Sequence, residues 1–264
     1  MKPVWILTAS YGEGHNAAAR SLVAAFDAVG GEGTGRLMDP LATLSPRRDR
    51  RARAAYYWII NRLPKVWSAF YAWLDRTRPL PGKLWMLKKE MQWLEQQLRE
   101  DPPAAICSTY PVFAFMLERI ARETGLRVPF YNVVTDSISI NSMWWLAECD
   151  GWFLPNEDSA NVLREAEIPS DRLHVMGFPV APVFADPEKR QAAPLITAAE
   201  RPRVLFIITS GSHLAIETAK LLLDETDWAV TFAVGRDADL RRRIERAATG
   251  RLAPCAILGW TDRI

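Results

Sequence analysis

The chain has 264 residues, of which 49% are hydrophobic and 24% are charged, a composition typical of a soluble globular protein and unlike that of a disordered one. Its three cysteines are widely separated, which excludes a disulfide framework and a zinc site of paired cysteines, and no run reaches the roughly 18 apolar residues of a membrane-spanning helix. The formal charge is only +2. We therefore expect a cytoplasmic protein with no signal peptide, no spanning helix and no metal site.

The first predicted elements flank a glycine turn. A strand-like run at 3–9 leads to Gly12, Glu13, Gly14 and His15, and helical spacing follows over 15–29. Such a turn lets backbone N–H groups approach a ligand, and a histidine on it adds a group that takes a proton near neutral pH. Because Ala17 stands where the dinucleotide fingerprint has its third glycine, the turn does not predict a dinucleotide site. The alternative is that His15 only pins the turn by hydrogen bonding.

A basic aromatic segment, residues 46–99, follows a second strand predicted at 34–39. It reads as two helical stretches near 50–75 and 82–99, with twelve Lys or Arg against three Asp or Glu between Pro46 and Glu90. Basic residues mixed with Trp and Tyr suit the headgroup level of an anionic membrane, although they also suit a solvated face above a packed aromatic core. No recognised nucleic-acid-binding motif accompanies them, so we expect no nucleic acid partner. The residues predicted to contact the membrane are Arg47, Arg48, Arg50, Arg51, Arg53, Trp58, Trp67 and Trp73.

Strands and helices then alternate. Strands are predicted at 104–108, 128–135, 151–154 and 172–176, with helices at 111–124 and 157–166. Alternation of this kind predicts a mostly parallel sheet, whose ligands lie at the carboxyl ends of the strands. Thr109 and Asp136 fall at such ends. Asp136 could orient His15, contact an acceptor, support its own loop or cap the following turn.

A linker predicted at 186–202 separates this first domain, 1–185, from a second unit, 203–264. The second unit has strands predicted at 203–209, 228–234 and 254–259 and helices at 213–224 and 237–248. The turn Ser210-Gly211-Ser212 precedes a helix N-terminus, a place that suits a diphosphate, and Gly235-Arg236 ends the next strand in a similar way.

Six motifs, in one order along the chain, resemble those of the monogalactosyldiacylglycerol synthase and processive diacylglycerol glucosyltransferase family, which is related to the glycosyltransferase that makes lipid II. The motifs are Ser10–Ala18, Ile106–Pro111, Val134–Asp136, Asn156–Glu157, Val175–Val180 and Leu258–Asp262. The resemblance covers nearly the whole chain. It implies an α/β fold of GT-B type, with a Rossmann-like N-terminal domain and a partial second Rossmann-like domain.

The resemblance also implies a function and a set of site residues. It predicts a hexosyltransferase that uses a UDP-sugar donor and a lipid acceptor, diacylglycerol first, with no cofactor, bound peripherally to the inner face of the membrane. His15 and Asp136 would be catalytic. Residues expected at the acceptor are Gly12, Glu13, Gly14, Thr109, Asn141 and Trp144, and those expected at the donor are Ser210, Gly211, Ser212, Gly235, Arg236, Trp260 and Thr261.

Two departures from the family pattern qualify this expectation. Asn141 stands where the family usually has a histidine, and an amide cannot exchange a proton near pH 7. The family's second domain continues past this point, so we expect donor binding by the 264 residues to be negligible at cellular nucleotide-sugar concentrations, where they cannot catalyse transfer by themselves. The alternatives are a related GT-B enzyme acting on another lipid-linked or lipopolysaccharide precursor, a sugar-nucleotide epimerase, and a non-catalytic fragment that binds membrane or lipid.

Overall fold

The computed structural model describes residues 2–77, 80–137, 140–186, 188, 201–208 and 212–261. It divides into two compact units, Met1–Arg190 and Gln191–Ile264. Most of the linker predicted at 186–202 lies outside the described residues. Each unit has its own parallel sheet.

The first unit contains a six-stranded parallel sheet. Its strands are β1 (Val4–Leu7), β2 (Gly35–Met38), β3 (Ala105–Ser108), β4 (Phe130–Val133), β5 (Gly151–Leu154) and β6 (Leu173–Val175). They are ordered β2-β1-β3-β4-β5-β6, and every pairing is parallel. The predicted strands are confirmed: the one at 151–154 has the predicted bounds, and the other five are each shorter than predicted. Strand β1 lies second in this order, between the edge strand β2 on one side and β3 on the other.

Helices cover the sheet and account for the remaining connections. They are α1 (Glu13–Gly30), α2 (Pro40–Leu44), α3 (Pro46–Arg62), α4 (Pro64–Thr77), α5 (Leu80–Lys83), α6 (Lys88–Glu100), α7 (Val112–Thr124), α8 (Glu157–Glu165) and α9 (Pro182–Ala185). Single 3₁₀ turns lie at Leu84–Leu87, Ser142–Trp144 and Ser170–Arg172.

Alternate residues of β1 face opposite sides of the sheet. Ile6 belongs to a cluster with Ala19 of α1, whereas Trp5 belongs to a larger cluster that includes Leu94 of α6 and Phe113 of α7. All five side chains are completely buried. Because both faces of the sheet are covered in this way, its strands read as near-continuous apolar runs.

The close packing of α1 on the sheet explains one glycine. A Cβ atom at Gly35 of β2 would come within 2.8 Å of the backbone Cα of Val23 in α1, and the backbone cannot give way as a flexible side chain can. Gly35 therefore lets the middle of α1 lie close to β2, the edge strand of the sheet.

The basic aromatic segment differs from its prediction. The single helical stretch expected near 50–75 is two helices, α3 and α4, which meet at Leu63 and Pro64. Proline lacks the N–H that would continue the first helix, and its ring disfavours helical backbone at the residue before it. Leu63, with ψ of 55°, indeed ends α3.

The second unit is a three-stranded parallel sheet with two helices. Its elements are β7 (Arg203–Ile207), α10 (Ser212–Asp224), β8 (Ala229–Ala233), α11 (Ala238–Ala247) and β9 (Cys255–Leu258), in the strand order β7-β8-β9. Its own apolar core includes Phe232, Ile216 and Ile244. Within the described residues of either unit, no helix combines the length and apolar character that crossing a membrane requires.

Candidate functional site

The glycine turn lies at the reversal point of the large sheet. The chain passes from β1 to β2 on one side, and β3 lies on the other side of β1. In doubly wound sheets, ligands bind in the crevice at the carboxyl ends of the strands where this reversal occurs. The turn at Gly12–His15 follows β1, Thr109 follows β3, and Thr135 and Asp136 follow β4. The structure thus brings the predicted residues of three neighbouring strand ends together.

Hydroxyl groups at these strand ends hold the turn. Thr109 Oγ1 lies 3.0 Å from Thr8 Oγ1 and donates to the backbone carbonyl of His15 at 3.1 Å. Thr8 Oγ1 in turn donates to Asn16 Oδ1 at 3.3 Å. Thr109 was expected to bind the acceptor, but its side chain is completely buried. Its contacts give it a supporting position beneath the turn.

The imidazole of His15 has a specific partner. Its Nδ1 lies 2.6 Å from Thr135 Oγ1. The ring meets Tyr110 edge-on, with 5.1 Å between centroids, and lies 6.3 Å from the ring of Trp144. Burial among these groups lowers the pKa of His15, because the charged imidazolium loses solvation, while the charge of Asp136 and a hydrogen bond from the ring to the backbone of Thr109 act in the opposite direction. The ring is therefore held neutral at pH 7, as a proton acceptor requires.

Asp136 is occupied by its own loop. Its Oδ2 accepts a hydrogen bond from Trp144 Nε1 at 2.8 Å. Trp144 is itself buried, and its carbonyl accepts from Trp152 Nε1 at 2.7 Å. Of the roles considered for Asp136, the contacts favour support of the loop, and its influence on His15 is electrostatic. Asp136 was expected to orient His15, but the side chain that contacts the ring nitrogen directly is Thr135.

Asn141 caps the 3₁₀ turn that carries Trp144. The residue is buried, and its Oδ1 accepts from the backbone N–H of Met143 at 3.0 Å. The amide that stands in the place of the family's usual histidine therefore has a structural task. Its expected contact with the acceptor gains no support from this geometry.

The three residues ahead of His15 remain accessible. Gly14 and Glu13 are exposed, and Glu13 pairs with Arg20 at 3.3 Å. A Cβ at Gly14 would meet no heavy atom within 4 Å, whereas one at Gly12 would meet the His15 ring at 3.4 Å. The open face of the turn can receive a ligand, with the first N–H groups of α1 directed outward.

Three tyrosines that were not among the predicted site residues border the site. The ring of Tyr11 stacks on Tyr110 and meets Tyr56 of α3 edge-on, each with centroids 5.9 Å apart. Burial raises the pKa of Tyr56, and neighbouring Tyr57 and Asp136 add to the rise. The aromatic content of 46–99 was a signal for this contact, but the sequence did not indicate which ring would reach the turn.

The basic aromatic segment is only partly a free surface. Arg48 donates to Glu90 Oε1 at 2.5 Å, and Arg53 Nε lies 2.8 Å from Asp49 Oδ2; both carboxylates are buried. Arg48 and Arg53 therefore have a structural task beside the membrane contact expected of them, because a buried carboxylate needs its cation nearby, although the Arg48 side chain is still about half exposed. Arg47, Arg50 and Arg51 are exposed, with no ion pair in the described parts of the chain.

The tryptophans of the same segment also differ from one another. Trp58 is 58% exposed and Trp73 is 45% exposed, whereas Trp67 is half-buried against Tyr56, with centroids 5.1 Å apart. The ammonium of Lys83 lies 5.7 Å from the ring centroid of Trp73. Two of the three predicted membrane tryptophans are thus available to a partner surface.

The second unit brings together part of the predicted donor set. Gly235 has φ of 62°, in the left-handed region, and forms the turn that aims Arg236 across the ring of Trp260, with 4.4 Å from the guanidinium carbon to the ring centroid. Thr261 follows Trp260 and is half-buried. Ser210 and Gly211 lie outside the described residues, and Ser212 begins α10.

A metal was not expected at either place. In the described ranges of both units, no group of three or more His, Cys, Asp or Glu residues is arranged to hold a metal ion.

Comparisons with known proteins agree with this geometry. Residues 15–180 match the family described as monogalactosyldiacylglycerol (MGDG) synthase. The chain is 22% identical over 265 residues to the processive diacylglycerol beta-glucosyltransferase of Bacillus cytotoxicus, covering 99% of this chain and 67% of that protein. It is 23% identical over 189 residues to the chloroplastic monogalactosyldiacylglycerol synthase 1 of Arabidopsis thaliana, covering 70% of this chain and 36% of that protein.

Solved structures share the fold. A structure of Anabaena HepE in complex with UDP and glucose has a TM-score of 0.57 at 12% identity, with 99% of this chain and 70% of that chain covered. The apo form of the lipopolysaccharide outer core galactosyltransferase WaaB has a TM-score of 0.52 at 12% identity, with 99% and 69% covered. The α/β fold is thus the GT-B type predicted, and because the family match spans more than half of its length, the chain belongs to the monogalactosyldiacylglycerol synthase family of hexosyltransferases.

Proposed function

We propose that this chain transfers a hexose from a UDP-sugar to diacylglycerol at an anionic membrane surface on the cytoplasmic side. The observation that carries the proposal is the imidazole of His15, which stands on an accessible glycine turn at the reversal point of the sheet and is held neutral by burial. The names of two curated relatives, a diacylglycerol glucosyltransferase and a monogalactosyldiacylglycerol synthase, support the acceptor class.

The proposed reaction requires the protein to accept one proton. The oxygen of the acceptor hydroxyl attacks the anomeric carbon of the sugar, the bond from that carbon to the diphosphate breaks, and UDP leaves with the bonding electron pair. The hydroxyl proton passes to Nε2 of His15, since Nδ1 is engaged by Thr135. The Asp136 carboxylate favours the imidazolium that results, because its charge acts to raise the pKa of His15.

Features of the basic aromatic segment support a lipid surface as the source of the acceptor. Arg47, Arg50 and Arg51 are exposed at the start of α3, and Trp58 lies further along the same helix. Cationic side chains beside exposed indole rings match the charge and polarity of anionic headgroups. Helix α3 also carries Tyr56 to Tyr11 at the glycine turn, so this surface adjoins the candidate base.

Features of the second unit support a nucleotide donor. The guanidinium of Arg236 could pair with a phosphate, and the exposed ring of Trp260 offers an apolar face to a base or sugar. The solved neighbour HepE is described in complex with UDP and glucose, which fits this assignment.

The test is a transfer assay on vesicles that contain diacylglycerol and an anionic lipid. Radiolabelled UDP-glucose, UDP-galactose or UDP-N-acetylglucosamine is supplied at millimolar concentration, and label in the lipid extract is measured. We expect a hexosyldiacylglycerol, and we expect His15→Gln to reduce its formation by about 10²–10⁴-fold, the usual worth of a positioned general base. His174→Gln, the same replacement on β6, is the matched control, and circular dichroism checks that both variants are folded.

Other outcomes identify the alternatives. Label that enters only another lipid-linked or lipopolysaccharide acceptor would assign a different acceptor, and an altered sugar that stays on the nucleotide would indicate an epimerase. Vesicle binding with no sugar chemistry under any donor would leave a lipid-binding fragment. Undiminished transfer by folded His15→Gln would remove His15 from the mechanism.

A further inference from the structure

His15 is held at two points, one on its backbone and one on its ring, by residues that follow two other strands. Its backbone carbonyl accepts from Thr109 Oγ1 at 3.1 Å, which fixes the start of α1 over the end of β3. Its Nδ1 lies 2.6 Å from Oγ1 of Thr135, which follows β4. The first contact fixes the position of the His15 backbone, and the second fixes the orientation of its ring. Because Nδ1 is engaged by Thr135, Nε2 is the ring nitrogen that could meet a substrate.

A threonine hydroxyl can either donate to Nδ1 or accept from it, and the two cases have opposite consequences. If the hydroxyl donates, neutral His15 carries its proton on Nε2 and cannot accept another there. If Nδ1–H donates to Oγ1, Nε2 has a free lone pair. Only the second arrangement survives proton uptake unchanged, because Nδ1 also carries hydrogen in the imidazolium.

The neighbouring carboxylate does not perform this task. Asp136 Oδ2 accepts from Trp144 Nε1 at 2.8 Å, and its effect on His15 is through charge alone. A neutral hydroxyl as the partner of Nδ1 orients the ring without the added negative charge that a direct carboxylate partner would bring. The neutral state imposed by burial is then preserved until the substrate proton arrives.

We propose that Thr135 is a positioning residue, which fixes the Nδ1–H tautomer of His15 and so presents Nε2 as the one ring atom able to take the acceptor proton. The part of this inference that concerns catalysis rests on the proposed function. The tautomer itself does not, and can be measured without any substrate.

The decisive experiment is nitrogen-15 NMR of the histidine rings of the 264-residue chain. It is recorded at about pH 7.5 to 8, where the neutral imidazole predominates. The chain has three histidines, so the signals of His15 are identified by their loss in His15→Gln. We expect a protonated Nδ1 and an unprotonated Nε2. We expect Thr135→Val, which keeps the shape but removes the hydroxyl, to shift His15 toward the Nε2–H form, and Thr135→Ser to restore the parent pattern.

A protonated Nε2 in the parent chain would overturn the proposal at once, whether or not the valine variant folds. So would a valine variant, shown to be folded by circular dichroism, whose His15 signals match the parent.

A kinetic arm separates this inference from the proposed function. In the vesicle assay we expect Thr135→Val to lower kcat by roughly 10–100-fold through loss of ring orientation, with the KM for the sugar donor unchanged and Thr135→Ser close to the parent. An equal loss in the valine and serine variants would contradict a hydroxyl role. If even the parent forms no glycolipid, the proposed function fails, while the ring signals still decide the role of Thr135.

Discussion

The environment of His15 combines two opposing influences on one proton. Burial against Tyr110 and Trp144 disfavours the imidazolium, and the nearby Asp136 carboxylate favours it. The larger influence is burial, so the pKa lies below its ordinary value. A general base must be neutral before the reaction and must be stable as a cation after it, and this balance suits both requirements.

The charge of Asp136 can be removed without removing its hydrogen bond. In Asp136→Asn the side-chain oxygen can still accept from Trp144 Nε1, so the loop keeps its support, but the charge that favours imidazolium is lost. We therefore expect the pKa of His15 to fall further, and the acid limb of the pH–rate profile to move to lower pH. Ring-proton NMR titration measures the pKa directly. Asp158→Asn, an exposed carboxylate on α8, is the control, and a raised or unchanged pKa in the Asp136 variant would contradict the prediction.

Helix α3 serves two purposes with different faces. Arg48 and Arg53 hold the buried carboxylates of Glu90 and Asp49, which ties the helix to the unit, while Arg47, Arg50 and Arg51 are exposed. A cation beside a buried carboxylate is needed for folding, since the unpaired charge would be costly. Replacement of all five arginines would therefore mix loss of structure with loss of surface charge. A clean test replaces only the three that hold no buried carboxylate, Arg47, Arg50 and Arg51.

The three exposed arginines should carry most of the salt-dependent membrane binding. Each basic residue near an anionic surface contributes about 1 kcal/mol, so replacing Arg47, Arg50 and Arg51 by Gln should weaken vesicle partitioning by roughly 10²-fold. Sedimentation with anionic vesicles measures this loss, and added salt should weaken the parent in the same direction. The matched control replaces Arg127, Arg243 and Arg246 by Gln, which changes the charge equally at exposed positions elsewhere. Equal loss in both triple variants would indicate a general charge effect without a membrane face on α3.

The two units have separate cores and carry different parts of the proposed reaction. The first unit contains the glycine turn, His15 and the basic aromatic segment. The second contains the Arg236–Trp260 pair at the end of its small sheet. Residues expected at the acceptor and at the donor therefore belong to different compact units.

Donor binding to these 264 residues should be weak. A charge-assisted contact contributes about 1.5–3 kcal/mol, whereas micromolar affinity requires about 8 kcal/mol, and the described part of the second unit places two guanidinium groups, those of Arg236 and Arg241, near the predicted donor turn. We expect calorimetric titration to show no heat at sub-millimolar UDP and a weak saturable signal at millimolar UDP. That signal should be lost in Arg236→Gln and kept in Arg243→Gln on α11. A micromolar dissociation constant would contradict this prediction.

The secondary structure and the sheet could be predicted from local patterns. Apolar runs between helical spacings recur along the whole chain, and such alternation leaves few arrangements other than a parallel sheet covered by helices. The glycine turn with His15 was visible because its residue types lie next to one another. The break between α3 and α4 also had a local signal, Pro64 itself, although one helical stretch was predicted across it.

The partners of the site residues depended on contacts between distant parts of the chain. Thr135 and His15 are 120 positions apart, and Arg48 and Glu90 are 42 apart. No local pattern distinguishes Thr135 from Asp136 as the partner of the ring, or an arginine that pairs with a buried carboxylate from one that meets solvent. Those choices follow from which strand ends adjoin and which helix face is buried, and the packing of the folded chain decides both.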